Sequence, residues 1–346
     1  MKRNSILALA MMLTFGLLLA ACGGNTGDSG SESEGNNGGG DEGDSFTSSL
    51  TLGSGSTGGT YYPFGGEIAT ILNDNIDVEG FEVSSVSSGA SVENIANIGQ
   101  GKWQLGLAQN TTSLDAINGR ADFEGNKVDN FGVIASLYPE AMHVVTLGST
   151  GIDSIADLKG KKVAIGPPGG AIRYAAEFVL KAYGIEEGDY TPFKEGLGDA
   201  KDKLQNGTID ATIDVTAVPA PSANELHAST KDVEFLSLDE KAVQMFEEET
   251  TYKEYVIEPG TYEWEDEPVT TVTATALLIA STDQVSEELG YEITKAIFEN
   301  SEDMSIKQAE MISEDNAFIG VQDLPLHPGA KKYYKEIGIL ENYEGE

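Results

Sequence analysis

The sequence predicts an α/β protein of two lobes that close like a clamshell over a ligand cleft. Three observations predict it. A strand, a polar loop and a helix follow one another repeatedly after residue 46, and the same device returns near residue 162. Val269 to Ala280 is a β-prone run long enough to carry the chain back from a second lobe to the first. The region after the N-terminal segment, roughly 300 residues, exceeds one typical core.

The stretch Thr51 to Gly66 organises the first lobe. Phe46 to Leu52 is β-prone and ends in a loop of glycines and hydroxyls. A helix is expected from Tyr61 or Pro63 to about Asn73. Phe64, Ile68, Ile71 and Leu72 fall on one face, with Thr60 as its cap. Unpartnered amides and a positive dipole end would then face the loop, a geometry that attracts anions. Gly53, Gly55 and Gly58 also spell G-x-G-x-x-G, and Asp74 and Asp77 follow. A lone fingerprint of this kind is weak, and the N-terminus speaks against a dinucleotide.

That N-terminus has the form of a bacterial secretion signal. Lys2 and Arg3 precede the apolar run Ile6 to Leu19, and Leu19-Ala20-Ala21-Cys22 follows. It resembles a lipobox, which implies cleavage before Cys22 and a lipid on that cysteine. The run is shorter than the ~20 apolar residues that span a bilayer. We therefore expect a signal peptide over 1–21 and an extracytoplasmic protein anchored to the membrane through Cys22. Residues 22–46, poor in apolar side chains, are expected to be a disordered tether with a span of roughly 25 Å. Cys22 is the single cysteine, so neither a disulfide nor a cysteine metal site is expected. Nicotinamide cofactors are not at hand outside the membrane, and none is expected.

The formal charge is −36, and loss of Lys2 and Arg3 with the signal makes it more negative. Such a surface repels nucleic acid and anionic lipid. No EF-hand loop accompanies the acidic residues. Arg120 and Arg173 are the two arginines beyond Arg3, hence the candidates for a bidentate carboxylate clamp.

Along the chain, Phe81 to Ser87 reads as a strand and Val92 to Gln100 as a helix. Gln104 to Ala108 is a strand that ends in the polar Gln109-Asn110-Thr111. Ligands of open α/β sheets bind at such carboxyl ends. Phe131 to Leu137 is a buried strand broken by Tyr138-Pro139-Glu140 and resumed at Met142 to Leu147. The first crossover belongs there. Lys162 to Ile165 leads into a second glycine loop, Gly166 to Ala171, and a helix to about Tyr183 that Gly184 ends. Arg173, in that first turn, opposes the helix dipole. It is either a cleft residue or a surface partner of Glu177. Further helices are expected over Ala200 to Asn206, Asp239 to Thr250, Glu287 to Asn300 and Ala330 to Lys335. Ile209 to Val215 and Val233 to Leu236 read as strands. The lobes so defined are 47–138 plus 274–346, and 139–273.

Six segments carry a resemblance: Gly55 to Pro63, Ser87 to Asn94, Ser136 to Glu140, Asp157 to Gly166, Pro259 to Tyr262 and Pro325 to Tyr334. In this order they resemble the TAXI solute receptors of TRAP transporters, over about Leu50 to Gly338. The resemblance implies a type II periplasmic-binding-protein fold. It also implies capture of a small organic anion or amino acid, glutamate-like or a related carboxylate, by a monomer that passes it to TRAP membrane subunits. Carried over by position, the first-lobe ligand loop is Ser56, Thr57, Gly58, Gly59, Thr60 and Tyr61, followed by Ser88 and Gln109. In the second lobe, Pro168, Gly169, Gly170 and Arg173 stand where the family usually carries two hydroxyls. Backbone amides and Arg173 alone would act there.

His143, His227 and His327 are far apart and read as structural. With no persuasive nucleophile, acid–base or metal spacing, the chain is not expected to be an enzyme. The alternative function is a substrate-binding lipoprotein of an ABC importer, or a ligand sensor.

Overall fold

The structure is a computed structural model that describes residues 46–168 and 171–343, all within one compact unit, Ser45–Glu346. The signal peptide 1–21, Cys22, the tether up to residue 45, and Gly169 and Gly170 lie outside the described residues.

The chain begins β1 (Ser49–Gly53), α1 (Tyr61–Asn75), β2 (Glu82–Val86), α2 (Ser91–Gly99), β3 (Leu105–Gln109) and α3 (Asn110–Asn118). The long strand β4 (Phe131–Leu147) follows, then β5 (Lys162–Ala164), α4 (Ala171–Ala182), β6 (Thr191–Phe193), α5 (Leu197–Gln205), β7 (Ala211–Ala217) and α6 (Pro221–Thr230). Last come β8 (Val233–Phe235), α7 (Glu240–Glu249), β9 (Lys253–Ile257), β10 (Val269–Ser281), α8 (Glu287–Asn300) and α9 (Pro328–Glu336). The strands join in the order β2-β1-β3-β10-β4-β7-β5-β6, with β8 on β4 and β9 on β10. β1, β2 and β3 are parallel to one another, as are β5, β6 and β7. β4 and β10 pair antiparallel between these two sets.

Two apolar cores flank that central pair. The first takes Phe64, Ile68, Ile71 and Leu72 of α1 with Leu289, Ile293 and Ile297 of α8, the faces their spacing predicts. Full burial of one such side chain contributes about 1.5–3 kcal/mol. The second takes Ala176, Val179 and Leu180 of α4. Leu137 and Tyr138 of β4 pack in the first core, while Met142 and Val144 pack in the second. Ala276 and Leu278 of β10 stay with the first and Val272 and Ala274 with the second. Both strands thus cross from one core to the other.

Several expectations are corrected. β4 does not break at Tyr138-Pro139-Glu140 but runs through it. Proline lacks a ladder donor, and the strand carries it without a break. Thr275, across from Pro139, turns its N–H to Asn110 Oδ1 at 2.9 Å. The register also shifts between Ala276 and Leu277. β6 and β9 escape the sequence reading because β6 is three residues long and β9, K-E-Y-V-I, opens on two charges. α3 starts directly at Asn110, with no intervening polar loop. Thr60 sits at the cap of α1 but makes no capping bond, because its hydroxyl faces Thr216 Oγ1 at 3.2 Å.

α8 and α9 approach closely through two glycines. A Cβ on Gly290 would lie 2.3 Å from His327 Nδ1, and one on Gly329 would lie 2.2 Å from the Tyr291 amide nitrogen. His327 is fully buried and caps α9: its Nδ1 accepts from the Gly329 N–H, and Nε2 donates to the Val285 carbonyl, each at 3.2 Å. Gly290→Ala should force the imidazole out of that position. We expect a loss of about 1–3 kcal/mol, typical of overpacking, seen as a lower melting temperature. An unchanged melting temperature would contradict this packing.

Candidate functional site

The glycine loop is positioned by one asparagine. Asn94 of α2 is fully buried. Its Nδ2 donates to the carbonyls of Gly53, Ser54 and Leu107 at 3.0, 2.8 and 2.7 Å. Its Oδ1 accepts from Ser88 Oγ at 2.7 Å. One amide therefore ties the ends of β1 and β3 to the loop before α2. The backbone must come close for this. A Cβ on Gly53 would lie 2.5 Å from Asn94 Oδ1, and one on Gly55 would lie 2.8 Å from Tyr61 Cβ. A Cβ on Gly58 would lie 2.1 Å from the Gly198 amide nitrogen, at the start of α5. All three glycines of the G-x-G-x-x-G spacing thus have packing reasons within the chain.

This loop borders a hollow of about 40 Å³. From the chain before β4, Ser56, Gly59, Thr60, Tyr61, Ser91 and Gln109 line it. From β4 onward, Glu140, Ala171, Ile172, Leu197 and Thr216 do so. It exceeds the roughly 10–15 Å³ needed to admit a water but is well below the roughly 300–1,000 Å³ of small-molecule pockets. A second hollow of about 270 Å³ shares Ala171 and is lined by Thr111, Asp115, Arg120, Asp122, Tyr174, Glu248, Glu249 and Tyr252. Tyr252 donates to Gln109 Oε1 at 3.1 Å, which links the linings of the two.

Of the residues singled out by sequence, Ser56, Gly59, Thr60, Tyr61 and Gln109 meet around the smaller hollow. Gly58 packs on Gly198, and Thr57 is exposed. Ser88 spends its hydroxyl on Asn94 and on the Ala90 N–H, the latter at 3.0 Å. Pro168 is exposed, with its carbonyl 3.6 Å from where a Gly89 Cβ would be. Arg173 neither lines the smaller hollow nor pairs with Glu177. Its Nη2 donates to Asp122 Oδ1 at 3.1 Å, and its Nε is buried without a partner. Tyr62 is 45 % exposed, while its neighbour Tyr61 is buried.

The group that sequence reasoning did not single out is Glu140. It is 3 % exposed and accepts from the Tyr61 hydroxyl at 2.9 Å. Burial pushes its carboxyl up to about 8, against the opposing hydrogen bonds of Tyr61 and Gln109. A carboxylate inside an otherwise apolar β run was the available signal. Burial raises the Tyr61 hydroxyl as well, with the nearby Glu140 adding to it. On the far side of β4, Asp214 is likewise raised to about 7 by burial, and Thr212 Oγ1 donates to it at 2.9 Å. His143 is lowered to about 4 by burial, and its Nε2 lies 2.7 Å from the Tyr262 hydroxyl. Among the described residues, no group of three or more His, Cys, Asp or Glu side chains is placed to hold a metal.

A family model described as the NMT1-like family matches residues 52–338. The methylphosphonate-bound PhnD1 of Prochlorococcus marinus is similar in structure at a TM-score of 0.50 and 14% identity, over 85% of this chain and 98% of that one. The alkanesulfonate-binding protein SsuA of Xanthomonas axonopodis pv. citri, bound to MOPS, gives 0.47 and 16%, over 86% and 83%. A putative L-cystine ABC transporter of Listeria monocytogenes gives 0.47 and 15%, over 77% and 95%. At these identities the likeness concerns the fold alone. The fold is that of the two-lobe periplasmic binding proteins.

Glu140→Gln tests the electrostatics. The folded value near 8 lies above the ordinary 4.5. Stability tied to this proton is thus complete below about pH 4.5 and is lost as pH rises through about 8. The permanently neutral variant should melt close to the parent at pH 5. It should melt higher at pH 9, by on the order of a few kcal/mol. A constant difference across pH would contradict a buried neutral carboxyl.

Proposed function

The chain belongs to the NMT1-like family, and from that premise we propose that it is an extracytoplasmic solute receptor. It captures a small organic acid or amino acid and passes it to a membrane permease. The observation that carries this reading is the polar hollow at the strand ends. Its lining takes residues before Tyr138 and residues after Pro139. On our reading these belong to the two lobes, 47–138 plus 274–346 and 139–273. Ser56, Gly59, Thr60, Tyr61 and Gln109 hold the solute from the first lobe, with Thr57, Gly58 and Ser88 supporting the loop. Ala171 and Ile172, which follow the second glycine loop, line it from the second. At about 40 Å³ the hollow is far smaller than a usual small-molecule pocket, and on this reading the lobes part to admit the solute. The receptor binds and releases and catalyses nothing.

Retention at the membrane rests on the lipobox-like Leu19 to Cys22. Cys22→Ser should move the protein from the membrane fraction into the soluble one. Persistence in the membrane would remove the lipid anchor.

Two permeases fit such a receptor. A TRAP permease is supported by the motif resemblance. An ABC importer is supported by the company of the fold, in which the Listeria neighbour is named as an ABC transporter. Of the two, the comparisons favour the ABC reading, and the TRAP reading has the sequence motifs alone. Solute uptake that survives dissipation of ion gradients but not ATP depletion identifies the ABC system. The reverse pattern identifies TRAP.

A thermal-shift screen tests the receptor itself. At a ligand concentration of about 100 Kd, mass action adds ~2.7 kcal/mol of stability. At least one organic acid or amino acid should raise the melting temperature. A flat response across amino acids, carboxylates, sulfonates and phosphonates would overturn the receptor reading.

A further inference from the structure

We propose that the solute presents an ammonium group to Glu140, so that the receptor selects amine-bearing solutes over simple organic anions. This rests on the receptor reading above and names the substrate class of the same hollow.

Glu140 is the one acidic side chain among the described residues that line the smaller hollow. No lysine or arginine lines it. The arginine best placed in sequence to clamp a carboxylate, Arg173, is committed to Asp122. A solute carboxylate lodged beside Glu140 would find no cation there. An ammonium would find a buried carboxyl that can ionise against it, and charge-assisted hydrogen bonds there are strong.

The larger hollow points the same way. Asp115, Asp122, Glu248 and Glu249 line it with Arg120 as the one cation. Arg120 is already paired to Asp115 at 3.0 Å, and Arg173 to Asp122 at 3.1 Å. The remaining charge is negative. A hollow lined by one sign concentrates the opposite charge and repels its own. Tyr252, which lines this acidic hollow, is hydrogen-bonded to Gln109, which lines the one that holds Glu140.

The groups around Glu140 also suit a donor-rich guest. Tyr61 on α1, Tyr138 on β4 and Tyr252 before β9 are the titratable neighbours whose electrostatics couple to it, and none is cationic. Gln109 from β3 contributes a neutral amide. The Tyr138 hydroxyl is buried without a hydrogen-bond partner, two residues along the same strand face as Glu140. The empty receptor keeps Glu140 protonated at neutral pH. An arriving ammonium reverses this: the carboxyl ionises against it, and one proton leaves to solvent. An anionic guest would instead hold the proton in place.

Calorimetry on the full chain distinguishes these outcomes. Three sets of probes are titrated: the standard amino acids, their deaminated acids such as propionate and glutarate, and plain amines such as methylamine and cadaverine. Methylphosphonate and methanesulfonate serve as anions of other chemistry. Each is measured in two buffers of different ionisation enthalpy. Binding is expected only with amine-bearing probes, with about one proton released and with affinity that rises toward pH 8. The amine arm separates a zwitterionic amino acid from a simple cationic amine. Glu140→Gln, verified as folded by its melting curve, should lose at least about thirtyfold in affinity together with the proton release. Equal binding of a deaminated acid, a phosphonate or a sulfonate overturns the ammonium assignment and leaves the receptor standing. So does binding with no proton release or an unaffected Glu140→Gln. Silence of every arm overturns both.

Discussion

Desolvation of the Glu140 carboxyl, where the chain passes from one core to the other, is the constraint around which the cleft is arranged. A lone ionised carboxylate in that position would cost several kcal/mol. The fold meets the cost in two ways. The group takes up a proton, and Tyr61 supplies a hydroxyl at 2.9 Å. That single bond joins the first residue of α1 to the crossover strand. With it, the glycine loop, the helix start and the strand end share one geometry. The Thr60–Thr216 contact at 3.2 Å extends the join to β7.

The loop glycines serve this convergence. Gly53 makes room for Asn94, Gly55 for Tyr61 and Gly58 for the backbone of Gly198. The last contact brings a loop of the first half against a helix start of the second, with no side chain between them. A larger residue at Gly58 would hold those segments apart. The spacing that mimics a dinucleotide fingerprint is thus a by-product of close packing. Asn94, placed three residues into α2, gives the loop its hydrogen-bonded frame without charge.

Much of this was legible in the residues. The apolar spacing of Phe64, Ile68, Ile71 and Leu72 located α1 and its buried face, and Leu289, Ile293 and Ile297 did the same for α8. Gly184, with a positive φ of 70°, ends α4 region where a stop was expected. Other features depend on partners distant in sequence. Pro139 looks like a strand breaker until the β10 ladder, from Thr273 to Ser281, is seen to run past it. Arg173 looks like a clamp until Asp122 is seen beside it, 51 residues away in sequence. Glu140 reads as part of a turn when Tyr138-Pro139 precedes it. Only the continuous ladder of β4 with β10 turns it into a buried wall of the cleft. In each case local pattern gave the element and tertiary contact gave the role.

The state of that one carboxyl can be observed directly. Carbon-13 NMR of glutamate-labelled protein, with the Glu140 resonance assigned by its absence in Glu140→Gln, follows its titration in the ligand-free protein. The account predicts a midpoint near 8, far above the ordinary 4.5. A midpoint in the ordinary carboxylate range would mean that the group is solvated, and the arrangement of the cleft around a buried neutral acid would be wrong.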